Sequence, residues 1–170
     1  LIRFAILRPG LCHDRGRRMA EKSKEIQHYA VGVVWSGDAK GCGEVASGGG
    51  DVKIPIGGSV ELGGCGKGAN PEELLLASVG ACFVNTWAIF LKKLGIGYAE
   101  PAVRVTGELG PDPSGGYKML SATIHARVPA SLLVEDRAKV EKTLQLAEKY
   151  CITSKVAKAA MPVEVVNESV

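Results

Sequence analysis

Residues 70–95 read NPEELLLASVGACFVNTWAIFLKKLG and predict a single helix of about 25 residues. Asn70 is a good N-cap residue, Pro71 suits the first helical position, and Glu73 completes a capping box with Asn70. Gly95 supplies the C-terminal stop. Apolar side chains cover much more than one stripe of this helix, so we expect it to lie buried at the centre of the structure.

The segments on either side of this helix predict short strands and two further helices. Strands are expected at 28–36, 44–47, 51–56, 102–109, 118–128 and 163–167, and helices at 132–149 and 153–160. The Pro- and Gly-rich turn at 111–116 predicts an antiparallel hairpin, and Ser131 is the expected cap of the helix that follows it. The order predicts an α+β fold in which antiparallel β-meanders surround the long central helix.

Composition places the chain among ordinary globular proteins. Its 170 residues are 46% hydrophobic and 23% charged, which excludes disordered and collagen-like classes. No uninterrupted run reaches the roughly 18 apolar residues of a membrane-spanning helix, so no membrane partner is expected. The length suits one domain.

The excess of positive charge belongs to the N-terminal end. Residues 1–18 carry a net charge of +4 and the remainder carries −1, so no basic surface indicates a nucleic-acid partner. We interpret 1–18 as an extension outside the native domain, with a basic targeting peptide as the alternative, and 19–170 as a single domain. The apolar run from Ile2 to Leu7 is too short and too interrupted for a secretory signal.

The five cysteines lie at positions 12, 42, 65, 82 and 151. Their odd number and wide spacing argue against a secreted disulfide framework and favour reduced thiols in the cytoplasm. Cys82 is either a small core residue or a reactive thiol. Cys151 stands between two predicted helices, where the helix dipole and Lys155 would acidify a thiol. Cys42 and Cys65 lie in glycine-rich turns and are expected to be exposed and without a role.

The other motif matches in the sequence do not predict a nucleotide, phosphate or metal site. The GxGxxA match at 41–46 opens no helix, and the glycine-rich segment 63–68 is followed by two glutamates that would repel a phosphate. His28 and His125 fall in predicted strands and are expected to be satisfied structural histidines. No CxxC or HxxxH pair predicts a metal site, and a zinc site built on Cys42 and Cys65 is the remaining metal alternative.

Three segments together resemble the OsmC/Ohr family, the osmotically inducible protein C and organic hydroperoxide resistance proteins. They are GANPEELL at 68–75, ACF at 81–83 and CITSK at 151–155, and WSGDAK at 35–40 is similar to the entry of the N-terminal meander in the OsmC branch. The resemblance spans about 28–167. It implies an OsmC-like fold, an intertwined homodimer and a cytoplasmic peroxidase that reduces organic hydroperoxides to alcohols in oxidative-stress defence.

The resemblance also implies roles for individual residues. Cys82 takes the peroxidatic position and Cys151 the resolving position, and their disulfide is reopened by an external dithiol such as a lipoyl group or a thioredoxin-like protein. No metal or organic cofactor is implied. Glu72 matches the functional glutamate of the family. Ten residues of helix span about 15 Å, so Glu72 cannot reach Cys82 of its own helix. If both serve one site, another chain must supply one of them.

Two departures from the family pattern leave an alternative open. The family uses a meander arginine to hold the thiolate, but 37–68 contains none, so Lys40, or Arg104 or Arg127 from elsewhere, is the candidate cation. Ile152 also stands where the family usually has proline. The alternative is a non-catalytic relative that binds a hydrophobic ligand or a protein partner. For either function, Leu74, Leu75, Phe83 and Trp87 are candidates to line an apolar cleft.

Overall fold

A computed structural model describes residues 26–98 and 100–170, and the chain divides into two compact units, Leu1–Asn70 and Pro71–Val170. The extension predicted at 1–18 lies outside the described residues.

The first unit contains a three-stranded antiparallel sheet of β1 (Val31–Ser36), β2 (Cys42–Ser47) and β3 (Lys53–Gly57), in that order. A single 3-10 turn follows at Val60–Leu62. This confirms the predicted meander of short strands. β1 begins later than expected, because 26–30 is irregular and leaves His28 ahead of the strand. The apolar side chains of β1 are exposed within the chain.

A disulfide between Cys42 and Cys65 ties β2 to the loop that follows the 3-10 turn. The two Cα atoms are 6.6 Å apart, and both residues are partly buried. The expectation of two exposed cysteines without a role was therefore wrong. The antiparallel register sets Cys42 opposite Gly57, and the loop then returns Cys65 against Gly57. Sulfurs joined to each other are not thiolates, so this pair does not offer the zinc ligands considered as an alternative.

The second unit contains three helices and a three-stranded sheet. The elements are α1 (Pro71–Lys93), β4 (Ala102–Pro111), β5 (Tyr117–Val128), α2 (Ala130–Tyr150), α3 (Ile152–Lys158) and β6 (Val163–Ser169). β4 and β5 form the predicted antiparallel hairpin, and β6 returns parallel to β5 after α2 and α3. The α+β class and the order of elements are confirmed.

Helix α1 ends as its sequence predicts. Gly95 adopts a left-handed φ of 71°. The Ile96 amide donates to the Leu91 carbonyl at 2.9 Å, and the Gly95 amide donates to the Lys92 carbonyl at 3.2 Å. This is a Schellman motif, which a glycine adopts without the steric cost of a Cβ atom.

Helix α2 begins differently from the prediction. Its N-cap is Pro129, with no side-chain cap, and Ser131 lies inside the first turn. The helix is interrupted at Asp136, whose φ of −154° and ψ of 69° are not helical. The Asp136 carboxylate accepts a hydrogen bond from the Lys139 amide at 3.0 Å. Asp136 therefore caps the longer second segment of α2, the role that the sequence had suggested for Ser131.

The core lies between α1, the inner face of β5, and α2. Its fully or nearly buried side chains include Val79, Phe83, Trp87 and Leu91 from α1, Ala122, Ile124, Ala126 and Val128 from β5, and Val140, Leu144 and Ala147 from α2. The four residues from β5 alternate along the strand, as expected for a sheet with one covered face.

Within residues 26–98 and 100–170, one face of α1 is covered and the remaining surface is not. Leu75 and Ile89, on its remaining surface, are 44% and 45% exposed. Full burial of α1 at the centre of the structure is therefore not seen in the single chain. By length and composition alone α1 would also suit a membrane span, contrary to our expectation from apolar runs. A helix that packs in a protein core meets the same two criteria.

A buried hydrogen bond joins α1 to α2. The Trp87 indole N–H donates to the Thr143 hydroxyl at 2.9 Å, and that hydroxyl donates to the Val140 carbonyl at 2.6 Å. Trp87 and Thr143 are both completely buried. The indole N–H has no access to water, so the Thr143 hydroxyl is required to satisfy it.

Replacing Thr143 with valine should lower the free energy of unfolding by about 1–3 kcal/mol, because it leaves the indole N–H buried without an acceptor. Replacing it with serine keeps the hydroxyl and should cost only about 1 kcal/mol for the lost methyl group. Urea denaturation of the two variants and the wild type measures both. Equal losses in the two variants would show that the hydrogen bond adds nothing to the packing of the side chain.

Candidate active site

The structure brings Cys82 and Cys151 together, and both are free cysteines. Cys82 lies on α1, one position before the buried Phe83. The groups that act on its sulfur are the Cys151 thiol, the Thr153 hydroxyl and the backbone N–H groups of Ile152 and Thr153. The first turn of α3 therefore faces Cys82.

Cys151 connects two helices. Its amide closes the last turn of α2 by donating to the Ala147 carbonyl at 2.8 Å. Its sulfur accepts a hydrogen bond from the Ser154 amide at 3.4 Å and is thereby the N-cap acceptor of α3. The backbone of Cys151 is extended, with φ of −63° and ψ of 116°. One residue thus ends α2, starts α3 and presents its thiol to α1.

The sulfur of Cys151 is completely enclosed by protein. The Ser154 hydroxyl donates to it at 3.0 Å, and the Thr153 hydroxyl lies 3.6 Å from it. The Val79 carbonyl is 4.0 Å away. Cys151 and Ser154 are both 0% exposed, whereas Cys82 is only partly buried. Solvent therefore reaches one thiol of the pair and not the other.

The pKa of Cys82 lies below its ordinary value. Burial is the largest single influence and raises the pKa of the thiol, but the hydrogen bonds from the Thr153 amide, the Cys151 thiol, the Thr153 hydroxyl and the Ile152 amide outweigh it. Each of these donors favours the thiolate. The sequence had placed helix-terminal acidification on Cys151, with help from Lys155. The first turn of α3 acts on Cys82, and the Lys155 ammonium lies over the Tyr150 ring at 5.9 Å.

Two residues of this site were not singled out from the sequence. Thr153 contacts the thiol pair and also donates to the Ser78 carbonyl at 3.2 Å. Ser154 is buried against Cys151. The predicted start of a helix after Cys151 was the only available signal, since the side chains of the first turn are those that meet an N-cap residue.

An apolar cavity of 460 Å³ adjoins the thiol pair through Thr153. It is lined by Leu75, Ser78, Val79, Lys118, Met119, Thr153, Val156, Ala157, Ala160 and Met161. Of the four residues expected to line an apolar cleft, Leu75 does so. Phe83 and Trp87 are instead 0% exposed and belong to the core, where their large side chains fill the space below the sheet. Leu74 does not line the cavity.

Glu72 lies at the first turn of α1, and Cys82 lies on the same continuous helix. Helix geometry separates them by about 15 Å along the axis, as the sequence predicted. Glu72 has no hydrogen bond or ion pair with any residue in the described part of the chain. Lys40 lies in the β1–β2 turn of the first unit, exposed, with its amide bonded to the Asp38 carboxylate at 2.9 Å. Its role as the cation stays a prediction.

Neither of the alternative arginines reaches Cys82 within the chain. Val103 and Val105 of β4 face Gly80 of α1, so Arg104 between them points to the opposite side of the sheet. There it pairs with Glu168 at 2.9 Å. Arg127 alternates with the buried Ala126 and Val128 in the same way and is exposed.

His125 is satisfied, as expected. Its Nδ1 lies 2.8 Å from Glu168, and its Nε2 lies 3.0 Å from the Thr106 hydroxyl. In residues 26–98 and 100–170 no cluster of three or more histidine, cysteine, aspartate or glutamate side chains is arranged to hold a metal ion.

The fold and site define a class of α+β protein in which a partly exposed cysteine of a long helix meets a buried cysteine between two other helices. The family profile described as OsmC-like protein matches residues 64–166. Organic hydroperoxide resistance protein-like 1 of Staphylococcus epidermidis is 38% identical over 98 residues, which cover 58% of this chain and 68% of that protein. The chain belongs to the OsmC-like protein family.

Solved structures agree with this assignment. The organic hydroperoxide resistance protein OsmC of Legionella pneumophila gives a TM-score of 0.68 at 24% identity, over 85% of this chain and 100% of that one. The organic hydroperoxide resistance protein of Elizabethkingia anophelis, with thiocyanate bound, gives 0.63 at 26% identity, over 84% and 99%. The fold is therefore that of OsmC and Ohr proteins.

Replacing Thr153 with valine should raise the pKa of Cys82, because one donor to the thiolate is lost while the backbone donors remain. Alkylation of the Cys82 peptide by iodoacetamide, followed against pH, increases as the thiol ionises. The midpoint for the wild type should lie below that of an unperturbed cysteine, and the midpoint for Thr153→Val should lie at higher pH than the wild type.

The matched control for this experiment is Thr86→Val. The Thr86 hydroxyl donates to the Cys82 carbonyl at 2.8 Å rather than to its sulfur, so its loss should leave the midpoint unchanged. Equal shifts of the alkylation midpoint in Thr153→Val and Thr86→Val would contradict a direct role for the Thr153 hydroxyl.

Proposed function

We propose that this protein is a cysteine-based peroxidase that reduces organic hydroperoxides to alcohols in oxidative-stress defence. The observation that carries the proposal is the placement of a partly exposed Cys82, whose pKa is lowered, beside a completely buried Cys151. Relatives named as organic hydroperoxide resistance proteins support the same substrate class.

In the proposed reaction the Cys82 thiolate attacks the distal oxygen of the hydroperoxide. The oxygen–oxygen bond breaks, the alkoxide takes up a proton and leaves as the alcohol, and Cys82 becomes a sulfenic acid. The sulfur of Cys151 then attacks the sulfur of Cys82, expelling water and forming a disulfide. The neutral donors of α3 favour the attacking thiolate, and the position of Cys151 beside Cys82 favours resolution over further oxidation.

The cavity beside the thiol pair suits an apolar substrate. Its lining from Leu75, Val79, Met119 and Val156 offers hydrocarbon surface, and Thr153 lies where the cavity meets the thiols. An organic hydroperoxide places an apolar chain and a reactive oxygen pair on one molecule, which fits this division between apolar lining and reactive sulfur.

The cycle needs two electrons from an external dithiol, for which a lipoyl group or a thioredoxin-like protein is the proposed source. It requires no metal and no organic cofactor. The cytoplasm remains the location expected from the cysteine pattern. The Cys42–Cys65 disulfide weighs against it, because structural disulfides are uncommon in reducing compartments.

The proposed assembly is an intertwined homodimer. Among the described residues, the outer face of α1 and the strand β1, with its exposed Val31 and Val33, are uncovered apolar surfaces. Exposed apolar surface of this extent indicates a partner. Glu72 and Cys82 of one chain are too far apart to share a site. In a dimer the Glu72 of one chain would lie at the Cys82 thiol of the other.

One equivalent of cumene hydroperoxide, added to reduced protein, should form a Cys82–Cys151 disulfide within seconds, as detected by peptide mass spectrometry. Cys82→Ser should abolish the reaction because the attacking thiolate is gone. Cys151→Ser should still consume hydroperoxide once and should leave a sulfenic acid on Cys82 that dimedone traps. Both variants keep the Cys42–Cys65 disulfide, so a difference between them is assigned to Cys82 and Cys151.

Survival of both thiols in folded protein would overturn the peroxidase proposal. The 460 Å³ apolar cavity would then favour the alternative function, a non-catalytic protein that binds a hydrophobic ligand. Oxidation of Cys151 in preference to Cys82 would reverse the proposed assignment of the two cysteines.

Mixing the inactive variants Glu72→Gln and Cys82→Ser tests the shared site. If each site combines Cys82 of one chain with Glu72 of the other, a mixed dimer contains one intact site. Statistical exchange of subunits should then restore about a quarter of the wild-type activity. A site built from one chain should give no restoration, and the same variants kept unmixed are the control.

A further inference from the structure

The two sulfurs of the candidate active site differ in their access to solvent. This difference decides which sulfur an external thiol can attack when the disulfide is reduced. Cys82 is partly exposed on α1, whereas Cys151 is 0% exposed behind it. Displacement at a disulfide requires the incoming thiolate to reach one sulfur directly. In a Cys82–Cys151 disulfide only the sulfur of Cys82 is open to a thiol from outside.

The surroundings of the buried Cys151 sulfur also favour it as the leaving group. The Ser154 hydroxyl donates to Cys151 at 3.0 Å, and the Ser154 amide points to the same sulfur at 3.4 Å. Ser154 is completely buried, so its hydroxyl is held away from competing water. A hydrogen bond to a charged acceptor in such a place is strong. Charge that develops on Cys151 therefore meets donors that are already in position.

We propose that the external dithiol attacks Cys82, that Cys151 is the leaving thiolate, and that Ser154 is a positioning residue that stabilises it through its hydroxyl. The inference rests on the proposed function and concerns its reductive half. Nothing in the chemistry of peroxide attack requires it, because Ser154 touches Cys151 and the hydroperoxide meets Cys82.

The step balances as a thiol–disulfide exchange. A thiolate of the reductant bonds to the sulfur of Cys82, and the bond between Cys82 and Cys151 breaks. The electron pair of that bond stays on Cys151, which takes up the proton that the first thiol of the reductant released. The second thiol of the reductant then displaces Cys82 and closes the reductant's own disulfide. Two electrons pass from the dithiol to the protein.

The test begins with protein oxidised by diamide, which makes the disulfide without any hydroperoxide. Its reduction by dihydrolipoamide is followed by acid quenching, alkylation and mass spectrometry of the Cys82 and Cys151 peptides. Ser154→Ala should slow the reduction by about tenfold, the scale of one hydrogen bond to a charged group. Ser154→Thr keeps the hydroxyl and should recover most of the rate.

Thr143→Val is the matched control. It also removes a buried hydroxyl, the one that accepts the Trp87 indole N–H, and so it destabilises the same unit without touching either sulfur. Its reduction rate should equal that of the wild type. A purely structural role for Ser154 would slow Ser154→Ala and Thr143→Val alike, and that result would overturn the proposal.

A separate measurement identifies which of the two sulfurs the external thiol attacks. A monothiol such as 2-mercaptoethanol, quenched early with acid, should be found attached to Cys82 with Cys151 free. Attachment to Cys151 would overturn the proposed direction, and failure of diamide to join Cys82 to Cys151 would overturn it too. Neither measurement depends on peroxide chemistry, so a protein inert to cumene hydroperoxide contradicts only the proposed function.

Discussion

The packing of α1 against the inner face of β5 fixes the position of Cys82. Val79, Phe83 and Trp87 follow each other at four-residue intervals and are all buried, so they set the rotation of the helix about its axis. Cys82 precedes Phe83 and is therefore turned toward the edge of this stripe, where α3 begins. A different rotation would carry the thiol to the exposed face of α1, away from every donor that lowers its pKa.

The second thiol depends on the way α2 passes into α3. Because the two helices share Cys151 as their boundary residue, its sulfur has a structural task as the acceptor for the Ser154 amide. The same contacts exclude water from it. A structural role and the proposed redox role of Cys151 are compatible, since a sulfur held by fixed donors is well placed to resolve an oxidised neighbour and then to leave.

Local signals in the sequence predicted most of the fold. The cap residues before α1, the glycine at 95 and the turn at 111–116 each act within a few residues, and the elements they bound are present in the structure. The misassigned cap of α2 shows the limit of such signals. Ser131 has the right chemistry, but the chain begins the helix at Ala130 and breaks it at Asp136, and only the packing of α2 decides that.

Contacts between distant residues could not be predicted in this way. The Cys42–Cys65 disulfide depends on the register of β2 with β3, which no spacing of cysteines reveals. The role of Thr153 depends on α3 facing α1, and Ser154 looked like any small polar residue. The family resemblance indicated the two cysteines of the candidate site, yet it could not say what surrounds them in this chain.

The hydrogen-bond donors around Cys82 explain how the chain favours a thiolate although 37–68 contains no arginine. All the groups that lower the pKa of Cys82 are neutral: two backbone amides, a hydroxyl and a thiol. Hydrogen bonds from such groups act over short distances and are little affected by ionic strength, unlike the field of an exposed ammonium or guanidinium. The first turn of α3 thus favours the thiolate within a single chain. A cation such as Lys40 would lower the pKa of Cys82 further than these hydrogen bonds do alone.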